Sequence, residues 1–188
     1  MDFRDLYEYL WIGWGVVWII WAIWTKPTQR RESLAARSLY GLVMLAASYV
    51  MFSGRFLGSW FFLHLYPPTR WVEILGIVVT AAGLGLALWA RAVIGGNWSG
   101  AVSVKVGHEL VRTGPYHWVR HPIYSGITLA LFGTALGIDQ TRAFLAVVLL
   151  YASFKIKSRL EERVMGGVFG TEYEEYRRST GAIVPRLR

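Results

Sequence analysis

Cysteine is absent from the chain, which removes disulfides, thiolate metal sites and a cysteine nucleophile while leaving the compartment open. Charge is scarce as well: Asp, Glu, Lys and Arg make up 17% of the 188 residues, against 54% hydrophobic. Soluble domains carry about 25% charged residues, so the apolar excess calls for a membrane or an unusually large buried interface. Acidic residues are the rarer sign, 12 against 20 basic ones. The resulting +8 does not require a nucleic acid partner, because cytoplasmic loops of membrane proteins are already rich in Lys and Arg. No secretory signal is expected, since residues 1–9 are net acidic and no small-residue cleavage site follows the first apolar run. There is no H-E-x-x-H, and no histidine stands at i+4 from His121, so no metal site is expected. The G-x-G at 83–85 lacks a preceding strand and a polar turn, and reads as a small packing face rather than a nucleotide loop.

Long apolar runs are what the chain does have. Residues 10–24, 39–56, 74–90, 123–138 and 143–154 predict five membrane segments in one all-α domain spanning 1–188. Residues 6–93 form the N-terminal membrane helices and 94–188 the chemically equipped half. The second run carries Ser48 and Gly54 for close packing and ends at Arg55. Trp11, Trp14, Trp18 and Trp21 share a helical face, as a lipid-facing or helix-packing stripe. Residues 57–71 are too short and too proline-broken to cross, and His64 there reads as an aromatic-belt residue. AVSVKV at 101–106 suggests a short extended segment, with no partner evident. Thr171 and Glu174 suggest a capping box opening a last helix. With the N-terminus outside, 16 of the 20 basic residues fall on the cytoplasmic side, leaving Arg4, Arg55, Arg70 and Arg142 opposite. Both polar stretches, 91–122 and 155–188, then share the cytoplasmic face of an inner or plasma membrane.

Two clusters are equipped for chemistry. In Arg120-His121-Pro122-Ile123-Tyr124, Pro122 suits the first helical position, where its missing N–H costs nothing. The helix start and the fixed charge of Arg120 suit a carboxylate; equally, Arg120 suits a lipid headgroup and His121 a helix end. The second cluster is Lys155, Lys157, Arg159, Glu161 and Glu162. A helix continuing through it puts Lys155, Arg159 and Glu162 on one face, either as a site or as a salt-bridge ladder.

LVRTGPYHWVRHPIYSG at 110–126, LEERVMGGVFGTEYEEY at 160–176 and VPRL at 184–187 together resemble the isoprenylcysteine carboxyl methyltransferase family, including its prokaryotic members and the related phospholipid methyltransferases. The resemblance covers roughly the last half of the chain. It implies a multi-span membrane enzyme that transfers methyl from S-adenosyl-L-methionine, bound where the two signatures meet. By position it implies cofactor-pocket roles for His108, Leu110, Val111, Tyr116, His121, Pro122, Tyr124, Glu161 and Glu162. Asn97, after the third run, is implied to border the substrate. Arg120, Arg159 and Glu162 are the expected catalytic residues: a cation to orient a carboxylate acceptor, or Glu162 to take the proton of an amine. The expected partner is a lipophilic or prenylated acceptor entering from the bilayer, among membrane lipids. Phospholipid N-methylation, an NADPH-dependent membrane reductase and a non-catalytic scaffold are the alternatives.

Overall fold

A computed structural model of the chain describes residues 3–31, 34–52, 58–67 and 69–186. The fold is mostly helical, as expected. Its helices are α1 (Phe3–Ala22), α2 (Leu34–Phe52), α3 (Arg70–Ile94), α4 (Pro122–Ile138), α5 (Thr141–Phe169) and α6 (Thr171–Ser179). Among the described residues one helix, running through Arg70–Asn97, is long and apolar enough to cross a membrane; Tyr40–Met51 and Pro122–Ile138 are shorter apolar helices. Gly54, Arg55 and Leu187 lie outside the described residues.

α3 and α4 pack almost backbone to backbone because both carry small residues at the crossing. A Cβ on Gly83 would sit 2.4 Å from the Ala130 nitrogen, and one on Gly133 2.5 Å from that of Thr80. Thr80, fully buried, donates its hydroxyl proton back to the Gly76 carbonyl at 2.8 Å and leaves no polar group unpaired. Gly83 of the G-x-G is therefore a packing residue, whereas a side chain on Gly85 would meet open space.

The Trp stripe of α1 packs inward. Trp11 Nε1 donates to Thr134 Oγ1 at 3.0 Å, Trp14 stacks on Trp18, and Trp18 meets the edge of Trp98. Ile12, Val16 and Ile19 form the exposed face of the same helix. α2 packs on α5 through Ala47, Met51, Ala143, Ala146 and Leu150. Across the far ends, Asp139 adopts a left-handed turn (φ 50°) and accepts from the Leu65 N–H at 3.1 Å. His64 is 3.2 Å from the same carboxylate, so it closes the 58–66 loop over the α4–α5 turn instead of only lining a headgroup belt.

The 101–106 segment does have a partner. β1 (Thr28–Arg31) and β2 (Ser103–Lys105) form an antiparallel ribbon with a bulge between Thr28 and Arg30. The Lys26 N–H donates to Gly96 O and the Val106 N–H to Pro27 O, extending the tie at both ends. No local pattern announces such a pairing, because its two halves lie about seventy residues apart.

α5 runs unbroken for 29 residues, from the apolar run at 143–154 through KIKSRLEERVMGGVF. No proline interrupts it, and its polar part consists largely of good helix formers. It ends at Gly170, whose positive φ of 53° also starts α6. The last helix forms where expected, but no capping box does: Thr171 is already inside it, with Gly170 as the cap. After α6 the chain lies as a strap beside residues 118–121. The Arg120 and His121 N–H groups donate to the Gly181 and Ala182 carbonyls, both at 2.9 Å.

Candidate active site

Four pieces converge on one cleft: the turn after α3, the ribbon end and loop at 98–111, the start of α4, and the polar half of α5 with α6. The cleft encloses about 860 Å³ including its open mouth.

Pro122 opens α4 and is fully buried, so His121 is fixed at the helix cap. There the imidazole sits between two carboxylates. Its Nε2 is 3.2 Å from Glu162 Oε1 and its Nδ1 3.3 Å from Glu161 Oε2. Ionised carboxylates only accept, so an imidazole bonded at both nitrogens must donate from both, which makes it an imidazolium. Burial pushes the His121 pKa down, but the two glutamates outweigh it and the net direction is up. Burial pushes both glutamates up; the imidazole, joined by Arg120 for Glu162 and by Lys157 and Tyr124 for Glu161, pulls each below the usual range. Glu162 falls to about 2.

Arg120 is almost buried, at 8% side-chain exposure, and its Nε and Nη2 both reach Glu162 Oε1, at 2.9 and 2.8 Å. Its third nitrogen, Nη1, donates to the Thr180 carbonyl at 2.6 Å. The strap thus fixes the guanidinium from one side and α5 from the other. Tyr124 donates to Glu161 Oε1 at 2.7 Å and is sandwiched flat between His121 and Phe154.

Most of the expected residues meet. His108, Leu110, Val111, Tyr116, Arg120, His121, Tyr124 and Glu161 line the cleft, as does Asn97. Pro122 and Glu162 do not: Pro122 sets the helix start, and Glu162 stands behind Arg120 and His121. Arg159 is exposed and apart from the cleft. At 100° per residue it projects nearly opposite Glu161, whereas Phe154, Lys157 and Met165 share the Glu161 face. Lys157 is the buried cation of this stretch. Its ammonium donates to the Gly100 carbonyl at 2.7 Å and lies 5.3 and 5.4 Å from the Tyr40 and Tyr124 ring centres. His108 accepts at Nδ1 from the Lys105 N–H at 3.2 Å; burial, then Lys26 and Lys105, hold its pKa down.

Several lining residues escaped the sequence reading: Trp98, Ser103, Met165, Tyr173 and Tyr176. The last two had a signal, an i,i+3 aromatic pair on an otherwise charged helix, and both are buried. Tyr176 donates to the Tyr116 carbonyl at 2.6 Å, closing α6 onto the loop. Two buried polar atoms of the cleft, Asn97 Oδ1 and Ser103 Oγ, have no hydrogen-bond partner in the protein. Such atoms are costly unless a ligand or water completes them.

The fold is similar to that of a solved methyltransferase. It matches the solved structure of the eukaryotic intramembrane Ras methyltransferase ICMT (isoprenylcysteine carboxyl methyltransferase) with a TM-score of 0.60, at 24% identity over 78% of this chain and 52% of that one. Residues 71–172 match the family model described as phospholipid methyltransferase, and the chain belongs to that family. Its relatives include the protein-S-isoprenylcysteine O-methyltransferase of Saccharomyces cerevisiae, 30% identical over 62% of this chain and 50% of that protein. The cobalt-zinc-cadmium resistance protein CzcN of Cupriavidus metallidurans is 31% identical over 70% of this chain and 59% of its own length. The chain thus spans about half the length of the curated relatives it matches.

Proposed function

We propose that this chain is an integral membrane methyltransferase that uses S-adenosyl-L-methionine to methylate the carboxylate of an isoprenylcysteine-like or other lipid-like acceptor. The apolar stretches of α1 to α5 are its membrane segments, the last ending near Phe154, with the N-terminus outside and the cleft at the cytoplasmic surface. The observation that carries the reading is the meeting of Asn97 Oδ1 and Ser103 Oγ, both without partners, with the braced guanidinium of Arg120 in one cleft.

The residues present suit the cofactor. Asn97 Oδ1 accepts and the Ser103 hydroxyl can donate, as an adenosyl and amino-acid ligand requires. Trp98, Tyr116 and Tyr173 supply aromatic walls, and Glu161 a negative charge for a cationic donor. When bound, the sulfonium supplies a methyl group already activated for displacement, so the protein's part is positioning and exclusion of water. Arg120 orients the acceptor carboxylate, which is itself the nucleophile and needs no general base. That requirement separates the carboxylate from an amine acceptor. Glu162 is bound by both Arg120 and His121 and held to a pKa of about 2, which makes it a poor base at neutral pH. Lys157 positions the cleft wall through Gly100.

Calorimetric titration of the detergent-purified protein with S-adenosylhomocysteine tests the reading. Saturable 1:1 binding that is lost in Asn97→Ala is expected. Binding of NADPH instead would identify a reductase, and binding of neither a scaffold.

A further inference from the structure

Behind the site lies a second, almost wholly apolar groove of about 1060 Å³ including its open mouth. Its walls are one face of α4 (Thr128, Leu129, Phe132), Val147 of α5, and Val184 and Pro185 of the strap. From Thr128 to Phe132 the groove follows α4 for roughly 6 Å at the helical rise. Exposed Leu129, Phe132, Val148 and Val184 continue the apolar surface around it, so it opens where the helices face lipid. The buried Thr128 hydroxyl has no partner in the protein. Of the other two hydroxyl residues of the wall, Ser125 and Tyr151, Ser125 already donates to Ile183 O. At the strap end the exposed Arg186 follows Pro185, which lines the groove, and donates to the Arg178 carbonyl, so a cation stands next to the groove's edge.

We propose that this groove binds one acyl chain of an anionic glycerophospholipid of the bilayer. The chain covers the apolar walls, an ester carbonyl accepts from Thr128, and the phosphate lies by Arg186. The proposal rests on the membrane placement above but not on the methyl transfer. Its consequence follows from shared structure. The strap that closes the groove is the one whose Thr180, Gly181 and Ala182 carbonyls hold Arg120 and His121. A lipid in the groove therefore braces the strap and sharpens the cleft on its other side.

The test is native mass spectrometry of protein released from phosphatidylcholine vesicles with and without phosphatidylglycerol. Wild type is expected to retain one phosphatidylglycerol. Leu129→Trp, which fills the groove from an exposed position, should lower retention about ten-fold, the loss of roughly 1.4 kcal/mol of binding. Val147→Phe fills it from the opposite wall and serves if Leu129→Trp is not monodisperse. Arg186→Gln should shift the retained lipid toward phosphatidylcholine. In nanodiscs, phosphatidylglycerol should tighten S-adenosylhomocysteine binding of wild type several-fold and leave Leu129→Trp unchanged. Absence of retained phosphatidylglycerol in wild type, or equal retention in the folded filling variants, overturns the proposal. Displacement of the lipid by equimolar S-farnesylcysteine also overturns it, because the groove would then belong to the acceptor. Failure of S-adenosylhomocysteine to bind at all, with lipid retained, would sink the methyltransferase reading and leave this one standing.

Discussion

Glu162 touches both cationic groups of the site and yet does not line the cleft. Its expected effect is thus exerted through Arg120 and His121. Glu162→Gln keeps the shape and removes the charge. It should cost about 1.5–3 kcal/mol, or roughly 10- to 150-fold in S-adenosylhomocysteine affinity or kcat/KM. Glu175→Gln, on the exposed face of α6, is the control and should change neither. Equal behaviour of the two variants, both folded, would reduce Glu162 to a partner in an ion pair without effect on the site. A pH dependence follows from the same carboxylate. Its folded pKa, about 2, lies below its ordinary 4.5, so its contribution to stability is present above 4.5 and is lost as pH falls toward 2. Thermal unfolding in detergent should show Tm falling across that window, with a shallower fall in Glu162→Gln. Arg120, His121 and Glu162 were visible in the sequence because they stand in two polar stretches beside apolar runs, within the segments that carry the family resemblance. The sequence did not distinguish Lys157 from Arg159. Their difference is one of angle around α5, decided only once that helix is known to continue without a break past Phe154.

At the scale of elements, the α3–α4 crossing holds the start of α4, and with it His121, against the cleft floor. Gly83→Val should push the two backbones apart, since even a Cβ there meets Ala130 N at 2.4 Å. An overpacking cost of about 1–3 kcal/mol or more is expected, read as a lower Tm and weaker cofactor binding. Gly85→Val, two residues on and facing open space, should be neutral. An equal fall in both would mean that helix propensity, rather than the crossing, is what the glycines serve. The five long helices were legible from hydropathy, and α2, α3 and α4 end within five residues of their apolar runs, whereas α1 starts seven residues before its run and α5 continues fifteen residues past Phe154. The ribbon and the strap were not legible, because a strand of three or four residues has no period to read and its partner is chosen by the tertiary fold. The same reason hid Ser103 and Trp98, which line the cleft only because the ribbon folds that loop inward.

For the molecule as a whole, the excess of basic residues on one set of loops predicts a cytoplasmic C-terminus and an external N-terminus. A reporter fused after Arg188 should read as internal in a topology assay; an external signal would refute the assignment and separate the cleft from its cofactor supply. The β1–β2 ribbon makes that assay more informative than a single tag. Strands that exchange backbone hydrogen bonds lie on the same side of a bilayer, so the chain between Arg31 and Ser103 must cross it an even number of times. The pairing of Val119 with Gly181 imposes the same parity on the chain between those residues. A crossing could be gained or lost within either interval only together with a second one. One labelled position among residues 28–31, 103–105 or 118–121 would then report the sidedness of its paired segment as well as its own.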